Sequence, residues 1–364
     1  MSSYILDWPL LTAMEEYIMK KNLVVIGYGG MGSWHVGHAQ KSDVVTLKGI
    51  YDIDPAKTEL ARSRGIYAYD SFEDVLNDKD VDLVTVAIPN DQHKDVVNAA
   101  LDAGKHVICE KPVTLSTELL KEMIACANKN GKVFSVHQNR RFDVDYLAMK
   151  QIHDSGEIGK IFNIESRVHG SRGIPSDWRG MKQYGGGMIY DWGIHLIDQI
   201  MMIKGKDIKK VYCRLDNITN KEVDDGFKLE LTYADDSRAY IELGTYNFIA
   251  MPRFYMQGLG GTALITDWRE NAKVIKCKHW HESEVIPVET AAGLTKTMAP
   301  RDSITVDEYE VDKPASDVHN YYRNFCDAID GKAEKMVTDE DMLFDMKVME
   351  AAFKSAALGQ VIEF

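Results

Sequence analysis

The chain has 364 residues, more than one hydrophobic core usually accommodates, so two domains are expected. Hydrophobic residues make up 45% and charged residues 27%, as in an ordinary globular protein, and no apolar run approaches the ~20 residues of a membrane helix. A formal net charge of −13 repels phosphate backbones and acidic membranes, which argues against nucleic-acid and membrane partners and leaves small molecules.

Residues 1–20 are apolar in places, but Asp7, Pro9, Glu15 and Glu16 interrupt them and no basic residue precedes them. That order does not suit a secretory signal, and the segment reads as an N-terminal arm. NLVVIG (22–27) is a short apolar run ending in glycine, a buried strand by pattern, and a glycine-rich turn and a helix through Gln40 follow. The next strand is expected at 44–52, then a helix opened by Pro55, a strand at 81–89, a helix at 91–104, and strands at 106–111 and 132–138. Alternating β and α elements with apolar strands imply a parallel sheet covered on both faces, over residues 21–140.

Beyond residue 140 the pattern changes. Segments 160–170, 209–218, 226–234, 238–246 and 271–280 alternate in part and join through short polar turns such as Asp235-Asp236-Ser237. They predict a mostly antiparallel open sheet in a second α/β domain, 141–364. Two helices close the chain, one from an N-cap at Ser316 to Gly331, the other from Thr338 to about Leu358. The five cysteines, Cys109, Cys126, Cys213, Cys277 and Cys326, are scattered and odd in number, as expected of free thiols in a reducing cytoplasm.

Gly27-Tyr28-Gly29-Gly30-Met31-Gly32 matches GxGxxG directly after a strand and at the start of a helix, the context that pattern needs. Gly27 permits the tight turn, Gly29 lets backbone approach a pyrophosphate, and Gly32 lets helix and strand pack closely. The helix N-terminus adds free N–H groups and partial positive charge. Asp52 ends the second strand, 20 residues after Gly32. A carboxylate there can accept both ribose hydroxyls of NAD and repels the 2′-phosphate of NADP, so NAD is the expected cofactor. Read blandly, Asp52 is a loop residue before a helix. Ligands of open parallel sheets bind beyond the carboxyl ends of the strands, which here carry Gly27, Asp52, Pro89-Asn90 and Glu110-Lys111-Pro112.

Lys111 at such a mouth would stand near a nicotinamide, where an ammonium can polarise a substrate oxygen. Pro112 fixes the backbone beside it, with a cis bond one way of doing so. A second cluster runs from Gly185-Gly186-Gly187 through Asp191 and His195 to Asp198. Asp191 and His195 are four apart and share a helix face, so the carboxylate can orient a histidine acting as base. Taken alone, the pair reads equally as a buried structural one, and Lys111 as a solvated lysine before a turn.

These residues resemble the glucose-fructose oxidoreductase, inositol dehydrogenase and rhizopine-catabolism family, Gfo/Idh/MocA, over roughly residues 22–360. The matching stretches are VIGYGGMG with His35 following, YDID, VAIPNDQH, AGKHVICEKP, GEIGK, DWR, GGGMIYDWGIHLID and KSAALGQVIEF. The resemblance implies a Rossmann domain followed by an α/β domain with a large sheet. It implies that Lys111 lies near the nicotinamide, that His195 is the acid/base, and that Asp191 binds and orients substrate. Glu110 belongs to the same EKP segment, Asn90 and His93 match a stretch lining the nicotinamide side, and Trp178-Arg179 another beside the cofactor. It further implies hydride transfer between NAD and a ring hydroxyl of a sugar, glycoside or cyclitol, with 3-dehydrogenation of a glucoside and inositol oxidation among the options. A homodimer or homotetramer is expected, and a catalytically silent NAD- and sugar-binding regulator is the alternative.

Cys277, His279 and His281 alternate along one strand, but no fourth ligand is near and lysines interleave, so no metal site is expected. His137 and His169 read as satisfied polar residues, and the 17 methionines as core filling.

Overall fold

In the computed structural model, which describes residues 20–278 and 287–364, the apolar runs of the first half form a five-stranded sheet. Nearly all of the expected N-terminal arm lies outside the described residues, as do His279 and His281. In chain order the elements are β1 (Lys21–Ile26), α1 (Gly30–Ala39), β2 (Val45–Tyr51), α2 (Pro55–Ser63), α3 (Phe72–Asn77), β3 (Leu83–Val86), α4 (His93–Asp102), β4 (His106–Cys109), α5 (Thr117–Lys129) and β5 (Phe134–Val136). Every pairing is parallel, in the order β2-β1-β3-β4-β5. Leu23, Val24, Leu83, Val84, Val107 and Ile108 are wholly buried, which is why these strands lack polar alternation. The chain leaves β1 for β2 on one side and returns as β3 on the other, and such a reversal opens a crevice at the carboxyl ends.

The second half contributes α6 (Val144–Ser155), β6 (Ile161–His169), α7 (Ile194–Lys204), β7 (Ile208–Asp216), β8 (Gly226–Tyr233), β9 (Arg238–Gly244), β10 (Phe254–Gly258), β11 (Gly261–Ile265), β12 (Ala272–Cys277), β13 (Val288–Thr290), β14 (Gly293–Thr295), β15 (Val306–Val311), α8 (Asn320–Ile329), α9 (Asp339–Leu358) and β16 (Ile362–Glu363). Nine strands form one sheet, β15-β12-β11-β10-β6-β9-β8-β7-β16, antiparallel except where β6 meets β9. Helices α6, α7 and α9 pack against it. Phe227, Leu229 and Leu231 of β8 turn into that core, while Lys228 and Glu230 between them do not. No helix among the described residues is long and apolar enough to cross a membrane.

Six strands escape the sequence pattern, the very short β13, β14 and β16 and three longer ones. FYMQG and GTALI (β10, β11) are short and glycine-bounded, and VDEYEV (β15) is mostly charged. Nor does Ser316 cap a helix: its hydroxyl donates to Phe142 O at 2.7 Å, and α8 begins at Asn320. Thr338 does cap α9, in a reciprocal box with Asp341. Helix α8 also departs from a simple two-domain division, because it returns to the first sheet. Tyr321 Oη donates to Val136 O at 2.8 Å, and Asp330 pairs with Lys21 at 2.6 Å.

Candidate functional site

The glycine turn joins β1 to α1 beneath the crevice. Gly27 has φ of +90°, and a Cβ there would lie 2.3 Å from Ala87 O, so β1 and β3 approach too closely for any side chain. At Gly32 a Cβ would stand 1.9 Å from Gly27 O. Around Gly29 and Gly30, by contrast, an added Cβ meets nothing within 4 Å, and no side chain caps the start of α1. The turn therefore offers uncovered backbone N–H groups and open space, with Met31 in the first helical turn. Asp52 braces it: Oδ2 accepts Tyr28 N–H at 2.6 Å and Oδ1 accepts Asp54 N–H at 2.8 Å. Arg64 donates to Tyr28 Oη at 3.2 Å, so an arginine distant in sequence stands close to this end.

Lys111 follows β4, and the Lys111–Pro112 bond is cis. Its Nζ donates to the backbone oxygen of Asp191 and to Oδ1, each at 2.9 Å. Arg179 Nε donates to the other oxygen, Oδ2, at 3.2 Å. Burial pushes the Asp191 carboxyl up, but the Lys111 and Arg179 cations outweigh it and hold the group below its ordinary value. Trp178 packs its ring 4.6 Å from the Arg179 guanidinium. Asn90 reaches across as well, donating to Gly185 O at 3.0 Å, with Pro89 capping the short turn that carries it.

His195 is 3% exposed, and its Nδ1 has no partner. The expected Asp191–His195 bond does not form, because Asp191 gives both oxygens to Lys111 and Arg179. The helix also opens with a π turn over Ile189–Gly193, which changes the spacing of the two side chains. Burial, then the Lys111 and Arg140 cations, push the imidazole well below its ordinary value, so it is neutral near pH 7.

Two expected cofactor residues turn away from the crevice. His93 is fully buried, with Nδ1 2.9 Å from Pro112 O and Nε2 3.0 Å from Ile88 O, so it staples two loops together. The Glu110 carboxyl is 4% exposed and points inward at His35 and His137. His137, read from sequence as merely satisfied, belongs to this buried group, whereas His169 accepts Met251 N–H at 3.1 Å.

Other contributors were not singled out from the sequence. Arg140 stacks 3.9 Å from the Trp192 ring and 6.0 Å from Trp268, and its Nε has no partner. It follows β5, so the rule that placed Lys111 would have placed it too. Asp224 anchors the triglycine turn: its Oδ2 accepts Ile189 N–H at 2.8 Å and its backbone oxygen accepts Met188 N–H at 3.0 Å. Gly187 must be glycine there, with φ of +116° and a Cβ position only 2.4 Å from Asp224 Oδ1.

An uncapped helix start, a cradle that a larger side chain would fill, a carboxylate at the end of β2 and an orphaned imidazole nitrogen beyond Lys111 together fit a dinucleotide with its nicotinamide toward His195. The comparisons speak to the dinucleotide fold itself. Residues 21–138 match the family described as "Oxidoreductase family, NAD-binding Rossmann fold", and 146–264 match the "GFO/IDH/MocA C-terminal domain". The chain belongs to the GFO/IDH/MocA family. A solved NAD-binding protein from Listeria innocua is 42% identical, with a TM-score of 0.92, and the match covers 95% of this chain and 99% of that one. The uncharacterized oxidoreductase YhhX of Escherichia coli is 28% identical over 90% of this chain and 91% of its own length. The scyllo-inositol 2-dehydrogenase (NADP(+)) IolW of Bacillus subtilis is 27% identical over 91% of this chain and 92% of its own. As a GFO/IDH/MocA member the chain is an NAD-binding oxidoreductase.

Proposed function

We propose that this oxidoreductase is an NAD-dependent dehydrogenase acting on a ring hydroxyl of a sugar, glycoside or cyclitol. One observation carries the reading: Lys111, at the mouth of the dinucleotide-type sheet, reaches Asp191 at 2.9 Å, on the helical segment that carries the buried His195. Gly27, Gly29, Gly30, Met31 and Gly32 would hold the pyrophosphate, and Asp52 the adenosine ribose. Pro89, Asn90, Trp178 and Arg179 would border the nicotinamide end. Bound there, NAD would supply the hydride acceptor.

The protein's own share is proton handling and orientation. Lys111 polarises the hydroxyl oxygen, Asp191 fixes the neighbouring hydroxyl, and the neutral imidazole of His195 receives the proton. Asp52 favours NAD over NADP by charge. IolW makes inositols a natural subclass to try, and its NADP(+) makes NADP the comparison for Asp52.

The experiment is an absorbance assay for NADH and NADPH with a panel of sugars, inositols and glucosides, with products read by mass spectrometry. Turnover with NAD on at least one polyol supports the proposal. Tight NAD and sugar binding with no product across the panel would instead make the chain a regulator.

A further inference from the structure

A buried carboxylate, two imidazoles and a tyrosine from four segments form one hydrogen-bonded cluster next to Lys111. Glu110 ends β4, His35 comes from α1, His137 follows β5, and Tyr322 lies on α8. Their exposures are 4%, 0%, 0% and 1%. Glu110 Oε1 stands 2.8 Å from His35 Nε2 and 2.9 Å from His137 Nδ1, while Oε2 accepts the Lys111 backbone N–H at 3.2 Å. Tyr322 Oη is 2.6 Å from His35 Nδ1.

Three donors on one buried carboxyl fit the ionised form. Both rings then present N–H to Oε1, and His35 keeps its Nδ1 lone pair for the Tyr322 hydroxyl. Burial pushes the Glu110 carboxyl up, yet the two imidazoles outweigh it and hold it well below its ordinary value. Burial meanwhile lowers His35 to about 4, so its ring is neutral. Among these four side chains only His137 Nε2 lacks a partner.

The segments tied together are the ones that shape the crevice. Helix α1 begins at the glycine turn, β4 delivers Lys111, and His137 leads to Asn139 and Arg140. We infer that Glu110 is a positioning residue, a buried anion which, held by His35, His137 and Tyr322, fixes the Lys111 backbone so that Nζ meets Asp191. The inference rests on the role proposed above for Lys111.

Two imidazoles and a carboxylate with ligand atoms all within 4.8 Å of one another could in principle hold a cation. The separations decide against it. Ligands sharing a tetrahedral ion at ~2.0–2.1 Å stand about 3.3 Å apart, whereas 2.8 and 2.9 Å are hydrogen-bond distances.

Glu110→Gln is the test. The amide keeps the shape but sets its NH2 either against the two ring N–H groups or against the Lys111 N–H. In the variant's crystal structure Lys111 Nζ should have left Asp191. On whichever substrate the wild type uses, kcat should fall at least about tenfold, with KM for NAD within about threefold. Should that variant not fold, His137 gives the same test. His137→Asn keeps an N–H near the Nδ1 position and should keep kcat, whereas His137→Leu should lower it. An undisturbed Lys111–Asp191 contact in Glu110→Gln, equal kcat in both His137 variants, or about one equivalent of bound metal in the purified wild type would overturn the inference. The structural comparison needs no turnover, so an inactive wild type would defeat the proposed function and leave this test standing.

Discussion

The wall of the crevice built by the first sheet presents mainly backbone, whereas the wall built by the second half presents charged side chains. Around Gly29 and Gly30 there is only N–H and open space; in the second half Arg179 pairs with Asp191, and the His195 imidazole lies buried four residues further on. Each wall also rests on one buried acid, and the two acids differ. Glu110 meets two imidazoles and is held ionised. Asp224 meets mainly backbone N–H groups beside Asp225, and burial pushes it up to about 6. At equal depth, then, partner chemistry decides whether a carboxyl is charged.

The comparison breaks first at Lys111, a cation that reaches from the backbone-built wall to Asp191. Lys111→Ala should cut turnover by about 10²–10⁴-fold while NADH binding, read by fluorescence, stays close to wild type. An equal loss of both would make Lys111 part of the cofactor cradle instead.

Next comes Asp224. Its folded value lies above its ordinary 3.8, so the folded protein holds a proton that the unfolded chain has released. Stability from that proton is present at low pH and fades as pH rises from about 4 through 6. The loss amounts to about 3 kcal/mol at roughly 1.4 kcal/mol per pH unit. Asp224→Asn has no such proton. Urea unfolding at pH 4 and pH 7 should therefore show wild type losing about 2.4 kcal/mol relative to the variant, since the unfolded Asp is already partly ionised at pH 4. A constant difference would mean that Asp224 and Glu110 are alike in charge.

Tyr322→Phe leaves His35 Nδ1 buried without its donor. A stability loss of about 2 kcal/mol is expected by chemical denaturation. No loss would uncouple α8 from the Glu110 cluster. Smallest is Gly29→Ala, whose methyl meets no protein atom. Its melting temperature without ligand should match wild type, while NADH affinity weakens by about tenfold. Unchanged affinity would show that the pyrophosphate does not lie over Gly29.

Much of the backbone-built wall was legible in the sequence, because its logic is local. Strand, glycines and Asp52 lie within one short stretch, and Gly32 is required by its contact with Gly27 O five residues away, although the Ala87 contact that requires Gly27 is distant in sequence. The charged wall was legible only where a segment was distinctive, as with Lys111 and the triglycine cluster. The sequence put Asp191 and His195 on one helix face but did not foresee that Asp191 would bond Lys111 and Arg179 instead, since the π turn over Ile189–Gly193 has no signature in Ile-Tyr-Asp-Trp-Gly. The cluster on Glu110 was hidden for a different reason. His35 and Tyr322 stand 287 positions apart, and only the return of α8 to the first sheet joins them. Strand β15 was missed because, at the edge of its sheet, its charged residues face outward on both sides.

The account turns on whether one crevice holds Lys111, His195 and the reactive end of the dinucleotide at once. A crystal structure of the protein with NAD and a polyol that it oxidises tests this directly. The account predicts the polyol's reacting carbon about 3–3.5 Å from the nicotinamide ring, with its hydroxyl in reach of both Lys111 Nζ and the His195 imidazole. A nicotinamide ring lying away from both side chains, with the glycine turn still holding the pyrophosphate, would contradict it.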